Sequence, residues 1–153
     1  MKLITKNKRA YFDYEISEDY LTGIVLQWHE VKSIKTGHVN IQDTIISIQG
    51  KELWILGMDV PLYTKTSPIL APHYQAKKKR KLLITKRELS KIAAHMDKPG
   101  IVALALEVLI ARGGFIKVKI WLGKLRKKIE KKQILKERSI EKEMRREVVD
   151  SRF

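Results

Sequence analysis

The chain contains no cysteine at all. That absence removes disulfides, thiolate metal ligands and a cysteine nucleophile together. Histidines are few (His29, His38, His73 and His95) and scattered without ligand-like pairing, so no metal or other cofactor is expected. No apolar run approaches the ~20 residues of a membrane-spanning helix, and the longest, residues 101–111, is interrupted by Glu107. The start, Met1-Lys2-Leu3-Ile4-Thr5, returns to charge at Lys6 and lacks the apolar stretch of a secretory signal. A soluble cytoplasmic protein with no membrane partner is the expectation. Acidic residues are also scarce, 17 against 32 Lys and Arg, which leaves a formal net charge of +15.

What is present is one domain's worth of chain, 153 residues with 44% hydrophobic content, enough for a single core. Residues 1–76 are electrically balanced, with 8 basic and 8 acidic side chains. Residues 77–91 carry 8 basic and one acidic, and residues 124–153 carry 12 and 6. The excess is therefore concentrated in two places, which is the electrostatic footprint of a phosphate-bearing partner. The run Lys77-Lys78-Lys79-Arg80-Lys81 repels itself and needs counter-charges if it is ordered.

Alternation predicts strands over Tyr11–Ile16, Ile24–Val31 and Val39–Ile48, the last turning at Gln49-Gly50-Lys51 into a hairpin with Glu52–Met58. Residues 61–80 hold Pro61, Pro68 and Pro72 and read as a long loop. A short strand, Lys81–Ile84, leads to Thr85-Lys86-Arg87-Glu88, a capping box that opens a helix with Leu89, Ile92, Ala93 and Met96 on one stripe. Pro99-Gly100 stops it, and Arg112-Gly113-Gly114 joins Ile101–Ala111 to Phe115–Leu122 as a hairpin. The second arm puts Ile116, Val118, Ile120 and Leu122 on one face. Phe115, Lys117, Lys119 and Trp121 lie on the other, lysines among aromatics, which suits RNA. About six short strands with one or two helices predict a mainly β fold, a small closed antiparallel barrel. From residue 124 there is neither Gly nor Pro, and Ile140, Met144 and Val148 recur at a spacing of four. This tail has helix propensity but too few apolar residues for a core of its own. The division is a barrel domain over 1–123 and a basic tail over 124–153.

Catalysis finds no support. Glu30 beside His29 suggests acid–base chemistry, yet neighbours on a strand point to opposite faces. Gly113-Gly114 closes a hairpin rather than cradling phosphate, Ser33 and Ser90 lack a nucleophile elbow, and Asp43, Asp59 and Glu30 are scattered acids on a basic chain. No enzymatic activity is expected.

Several strings occur together in order: Asn7-Lys8-Arg9-Ala10, then Tyr14 and Ile16, Gly23-Ile24-Val25-Leu26, Glu30-Val31-Lys32-Ser33-Ile34, and Gly37, Asn40 and Asp43. Arg80-Lys81-Leu82-Leu83, Lys86-Arg87-Glu88-Leu89 and Gly100 follow. Over essentially its whole length the chain resembles small protein B, the SsrA-binding protein family. The resemblance implies an oligonucleotide-binding-type barrel with short flanking helices. Its implied partner is the tRNA-like domain of transfer-messenger RNA, delivered with elongation factor Tu to ribosomes stalled on mRNA lacking a stop codon. It implies RNA contacts or their support at Asn7, Lys8, Arg9, Glu30, Lys32, Ser33, Asn40, Lys79, Arg80, Lys81 and Lys119. It also implies ribosome contacts in the decoding site and mRNA channel from Arg126, Lys127, Glu130, Lys131, Lys132, Lys136 and Arg138. The sequence departs from the family where Trp28 and Leu125 replace its usual glycines. A ribosomal-RNA-binding ribosomal protein or translation-factor module would share this charge map; a metal-dependent nuclease and a membrane-surface protein fit it less well.

Overall fold

The structure is a computed structural model and describes residues 1–66, 69, 71–126, 132–133, 135–142 and 144. Its elements run β1 (Lys2–Lys6), α1 (Lys8–Asp13), β2 (Tyr14–Ile24), α2 (Trp28–Lys35), β3 (Ile45–Gln49) and β4 (Glu52–Leu56). After the long loop come β5 (Arg80–Leu83), α3 (Lys86–Met96), β6 (Ile101–Ile110) and β7 (Ile116–Leu125). The strands form one antiparallel sheet in the order β1-β6-β7-β2-β5-β4-β3. Its inner face supplies the core: Ile116, Val118, Ile120 and Leu122 of β7 pack with Ile46, Leu53, Ile55 and Leu82, under Ile34 of α2 and Ile92 of α3.

The β3–β4 and β6–β7 hairpins form where the turn residues predict them, with Gly50, Gly113 and Gly114 at positive φ. Helix α3 also starts as predicted: Thr85 Oγ1 accepts a hydrogen bond from the Glu88 amide at 3.2 Å. Mainly β architecture is correct, but closure is not. β1 and β3 remain the sheet's two edges, so no ladder seals a barrel. The sheet curls instead, bringing β3 against β6. The gap is bridged by side chains, because β6 shifts register between Ala105 and Glu107 and offers isolated backbone groups there. Thr44 Oγ1 accepts from the Ala105 amide at 3.2 Å, and Asn7 Nδ2 donates to the carbonyls of Ile41 and Ala105, each at 3.2 Å.

Three expected strands need correction. Tyr11–Asp13 are helical, because Asn7 Oδ1 accepts from the Ala10 amide and caps α1; the strand begins only at Tyr14. The stretch Ile24–Val31 is not a strand beyond Ile24; α2 starts at Trp28, with the Gln27 amide donating to Glu30 Oε1 at 3.2 Å. His29, Glu30, Ser33 and Ile34 form its buried face, and three of these four are polar, which hides the helical period from a hydrophobic reading. Of Val39–Ile48, only Ile45 onward is strand, although Asn40 makes an isolated bridge to Asp59.

Candidate nucleic-acid interface

The basic run is ordered, and the counter-charges it needs are present. Successive residues alternate between two directions. Lys78 and Arg80 turn toward α2, where Glu30 receives both: Lys78 Nζ lies 3.1 Å from Oε1, and Arg80 Nε donates to Oε2. Lys79 and Lys81 turn toward the β3–β4 hairpin. Lys79 Nζ meets Gln49 at 3.0 Å and stands 4.6 Å above the Trp54 ring, and Lys81 Nζ pairs with Glu52 at 3.0 Å.

Glu30 and Arg80 are almost wholly buried, at 1% and 2% exposure. Beyond Glu30, the guanidinium donates to the carbonyls of Met58 (2.8 Å), Ala76 (2.9 Å) and Lys78 (3.2 Å) and to the Tyr74 hydroxyl (3.4 Å). One side chain thus gathers the end of β4, the long loop and the start of β5. Burial alone would push the Glu30 carboxyl up, but the Arg80 hydrogen bond and charge, then Lys78 and the Gln27 amide, hold it below its ordinary value. Ser33 Oγ donates to the Pro61 carbonyl at 2.7 Å and anchors the loop's other end. Asn7 and Ser33 are buried as well. Of the expected RNA-contacting residues, then, Asn7, Glu30, Ser33 and Arg80 have their polar groups engaged inside the protein. Lys8, Arg9, Lys32, Asn40 and Lys79 are exposed. The reading of His29 and Glu30 as strand neighbours on opposite faces is overturned, since both lie on the buried side of α2.

The outer sheet face brings together residues that sequence reasoning left apart. Residues directly opposite in adjacent strands share a face. Lys119 stands opposite Leu21, Lys117 opposite Gly23, Gly23 opposite Leu83, and Lys81 opposite Trp54. Phe115, immediately before β7, is 69% exposed, and Leu21, Val25 and Leu83 are exposed large apolar residues. A groove of about 360 Å³ runs between Gly23, Leu83, Phe115 and Lys117 on this face and Val31 of α2. Gly23 keeps it open: a Cβ there would project into it and sit 3.2 Å from Leu83 Cβ. Apolar and aromatic surface studded with lysines can stack bases and meet phosphates at once. The interleaving of Phe115, Lys117 and Lys119 was legible in the sequence; Leu21, Leu83 and Trp54 were not, because the register joins them. Trp121 does not belong to this surface. At 1% exposure it lies under α1, its ring 5.1 Å from that of Tyr11. Lys119 is engaged with Asp19 at 3.4 Å.

The tail departs from the sheet at Arg126, whose amide donates to the Asp13 carbonyl at 2.8 Å and whose Nε donates to the Tyr14 carbonyl at 3.2 Å. Residues 132–133, 135–142 and 144 are helical, and Lys132, Lys136 and Arg138 are exposed on them. Lys127, Glu130, Lys131 and Val148 lie outside the described residues. Among the described residues no cluster of His, Asp or Glu could hold a metal ion, and no helix is long and apolar enough to cross a membrane.

With this geometry in place, comparison with known proteins decides the lineage. The model of the SmpB protein family matches residues 4–150. The chain belongs to the SmpB family. It is 42% identical over 147 residues to the SsrA-binding protein of Coprothermobacter proteolyticus, covering 96% of this chain and 97% of that one. The SsrA-binding protein of Persephonella marina is 36% identical over 144 residues, 94% and 92% of the two chains. That of Bacteroides thetaiotaomicron is 36% identical over 141 residues, 92% of each. A solved chain from work on tmRNA-SmpB at the center of the bacterial ribosome superposes with a TM-score of 0.68 at 31% identity, over 81% of this chain and 85% of that one. The SmpB fold thus extends to this sequence despite Trp28 and Leu125.

Proposed function

We propose that this protein is a non-catalytic adaptor that binds transfer-messenger RNA and brings it to ribosomes stalled on mRNA lacking a stop codon. Family membership supports the RNA and the ribosome as partners. The observation that carries the RNA-binding mode is the outer face of β7, β2, β5 and β4, where Phe115, Leu21, Leu83 and Trp54 alternate with Lys117, Lys119 and Lys81. On this reading the buried Glu30–Arg80 pair, Asn7 and Ser33 support that face and its loops, while Lys8, Arg9, Lys32, Asn40 and Lys79 supply peripheral contacts. Elongation factor Tu accompanies the RNA in the delivered complex, in the cytoplasm. The oligonucleotide-binding-type character belongs to the same proposal: a curled sheet presenting rings and ammoniums does the work of such a barrel without a sealed seam.

The work is divided between sheet and tail. Residues 1–123 capture RNA, and the tail, 124–153, probes the empty decoding site and mRNA channel. Because β7 continues to Leu125 and Arg126 is fastened to Asp13 and Tyr14, Lys124–Arg126 are held at the sheet, and the proposal assigns the ribosome contacts chiefly to the residues after Arg126. Equilibrium binding to the tRNA-like domain tests the first half of this division. Phe115→Ala and Lys117→Ala must each weaken it while leaving the fold intact, and wild-type affinity in both would refute the assignment of the face.

A further inference from the structure

A second surface differs in chemistry from the outer face. Beside Lys78, where the long loop returns toward α2, there is a cavity of about 300 Å³ whose wall includes Gln27, His29, His73, Tyr74, Gln75 and Lys78. The outer face offers rings and ammoniums, which accept any base and any phosphate. This cavity offers two side-chain amides and two imidazoles, groups that both donate and accept hydrogen bonds and can therefore distinguish one base edge from another. Its volume sits at the lower end of the ~300–1,000 Å³ of small-ligand pockets, room for one nucleotide and not for a base pair.

Two further features point to a ligand. His29 is only 6% exposed, and its Nδ1 has no hydrogen-bond partner among the described residues. The rings beside it approach edge-on, Tyr74 at 5.0 Å and Trp28 at 5.8 Å between centroids, so they fix the imidazole without satisfying it. Buried polar atoms are almost always paired, and those that are not call for an explanation. The second feature is charge. The single carboxylate of Glu30 faces two cations, Arg80 and Lys78, so the cluster keeps one positive charge unneutralised. Arg80 is buried, whereas the Lys78 side chain is 33% exposed at the cavity wall, held in position by Glu30 and by Gln27 Oε1 at 3.4 Å. A pre-positioned ammonium beside base-reading groups is the complement of a nucleotide.

We propose that this cavity holds one unpaired nucleotide of the bound RNA, its base edge read by Gln27 and Gln75 beside the His29 ring and its phosphate met by Lys78. The inference rests on the RNA-binding function proposed above and adds a sequence-reading subsite apart from the outer face, which reads none.

The test is equilibrium binding of the full chain to the tRNA-like domain of transfer-messenger RNA over a series of salt concentrations, with nucleotide-resolution chemical probing of the RNA. Gln75 is exposed, so Gln75→Ala leaves the core undisturbed. Losing a base-edge contact worth the usual discrimination should weaken binding by roughly 5- to 100-fold with the salt slope unchanged, since no counterion is involved. One nucleotide protected by the wild type should regain reactivity with Gln75→Ala, and Gln27→Ala should expose the same one. Lys78→Gln should instead make the salt slope shallower. If Gln75→Ala and Gln27→Ala bind like wild type while wild type binds normally, the cavity does not read RNA and the proposal falls alone. If their losses come with a shallower salt slope and no single deprotected nucleotide, the cavity meets only phosphate and the base-reading claim is overturned. If free nucleoside monophosphates shift the His29 imidazole resonances but the RNA does not, the cavity serves a free nucleotide and the proposal is wrong. Failure of the wild type to bind the RNA would instead remove the RNA-binding reading itself.

Discussion

Glu30 on α2 and Arg80 at the head of β5, 50 residues apart in sequence, meet as a buried ion pair that connects the helix, the long loop and the sheet. Both belong to short strings that mark the family in sequence, and their burial gives those strings a structural reason. Removing one partner strands the other's charge away from water. Glu30→Ala should therefore cost on the order of 3–5 kcal/mol in chemical denaturation. A loss under about 1 kcal/mol, the scale of an exposed pair, would show that the cluster is solvated.

The same carboxylate sets an acid limit on stability. Its folded value is lowered, so the pair's contribution is complete above the ordinary carboxylate value of 4.5 and is lost as pH falls through the folded value. Denaturation midpoints should be insensitive to Glu30 titration near neutrality and fall on acidification below about pH 4.5. Glu30→Gln, less stable at neutral pH, should show a shallower fall. Identical acid limbs for the two proteins would contradict the lowered value.

Thr85 caps α3 through the Glu88 amide. Thr85→Ala should lower stability by ~0.5–2 kcal/mol, read from the melting temperature and denaturation midpoint, and should weaken RNA binding only as far as folding is affected. An unchanged melting temperature would place the helix start elsewhere.

How much of this was legible in the sequence depended on which physics set each element. Turns whose backbone demands glycine, at Gly50 and at Gly113-Gly114, gave both hairpins. The α3 stripe around Ile92 gave its helix. The short helices α1 and α2 were hidden because their ends are fixed by Asn7 and by Gln27 with Glu30, and because α2 buries polar residues that pair with partners far along the chain. Trp121 alternates as predicted but faces α1 rather than solvent, since that helix covers only one end of β7. The counter-charges of the basic run could be anticipated as a need. Their identity, Glu30 and Glu52, required the fold.

On the outer face, Phe115 and Lys117 should contribute differently. Stacking makes Phe115→Ala cost ~1–3 kcal/mol of RNA affinity at any salt concentration. Lys117→Ala should reduce the slope of log affinity against log salt by roughly 0.7–0.9, the signature of one phosphate contact. Two variants with the same salt dependence as wild type would leave Lys117 without a phosphate.

On the proposed division of labour, which assigns RNA capture to residues 1–123, reversing the charge of Lys131 and Lys132 should leave affinity for transfer-messenger RNA within about threefold, or ~0.7 kcal/mol. Peptide tagging on stalled ribosomes, followed in a reconstituted reaction, should be abolished. A variant that binds the RNA poorly yet tags normally at saturating RNA would reverse the proposed division of labour.

The most direct measurement is a side-by-side titration of the full chain with the tRNA-like domain of transfer-messenger RNA and with a ribosomal RNA fragment of equal length, at near-physiological salt. The adaptor function predicts saturable one-to-one binding to the tRNA-like domain, tighter than to the ribosomal fragment by at least about tenfold, or ~1.4 kcal/mol. It also predicts that Phe115→Ala and Lys117→Ala each weaken binding to the tRNA-like domain. Equal affinity for the two RNAs, unaffected by either substitution, would contradict it.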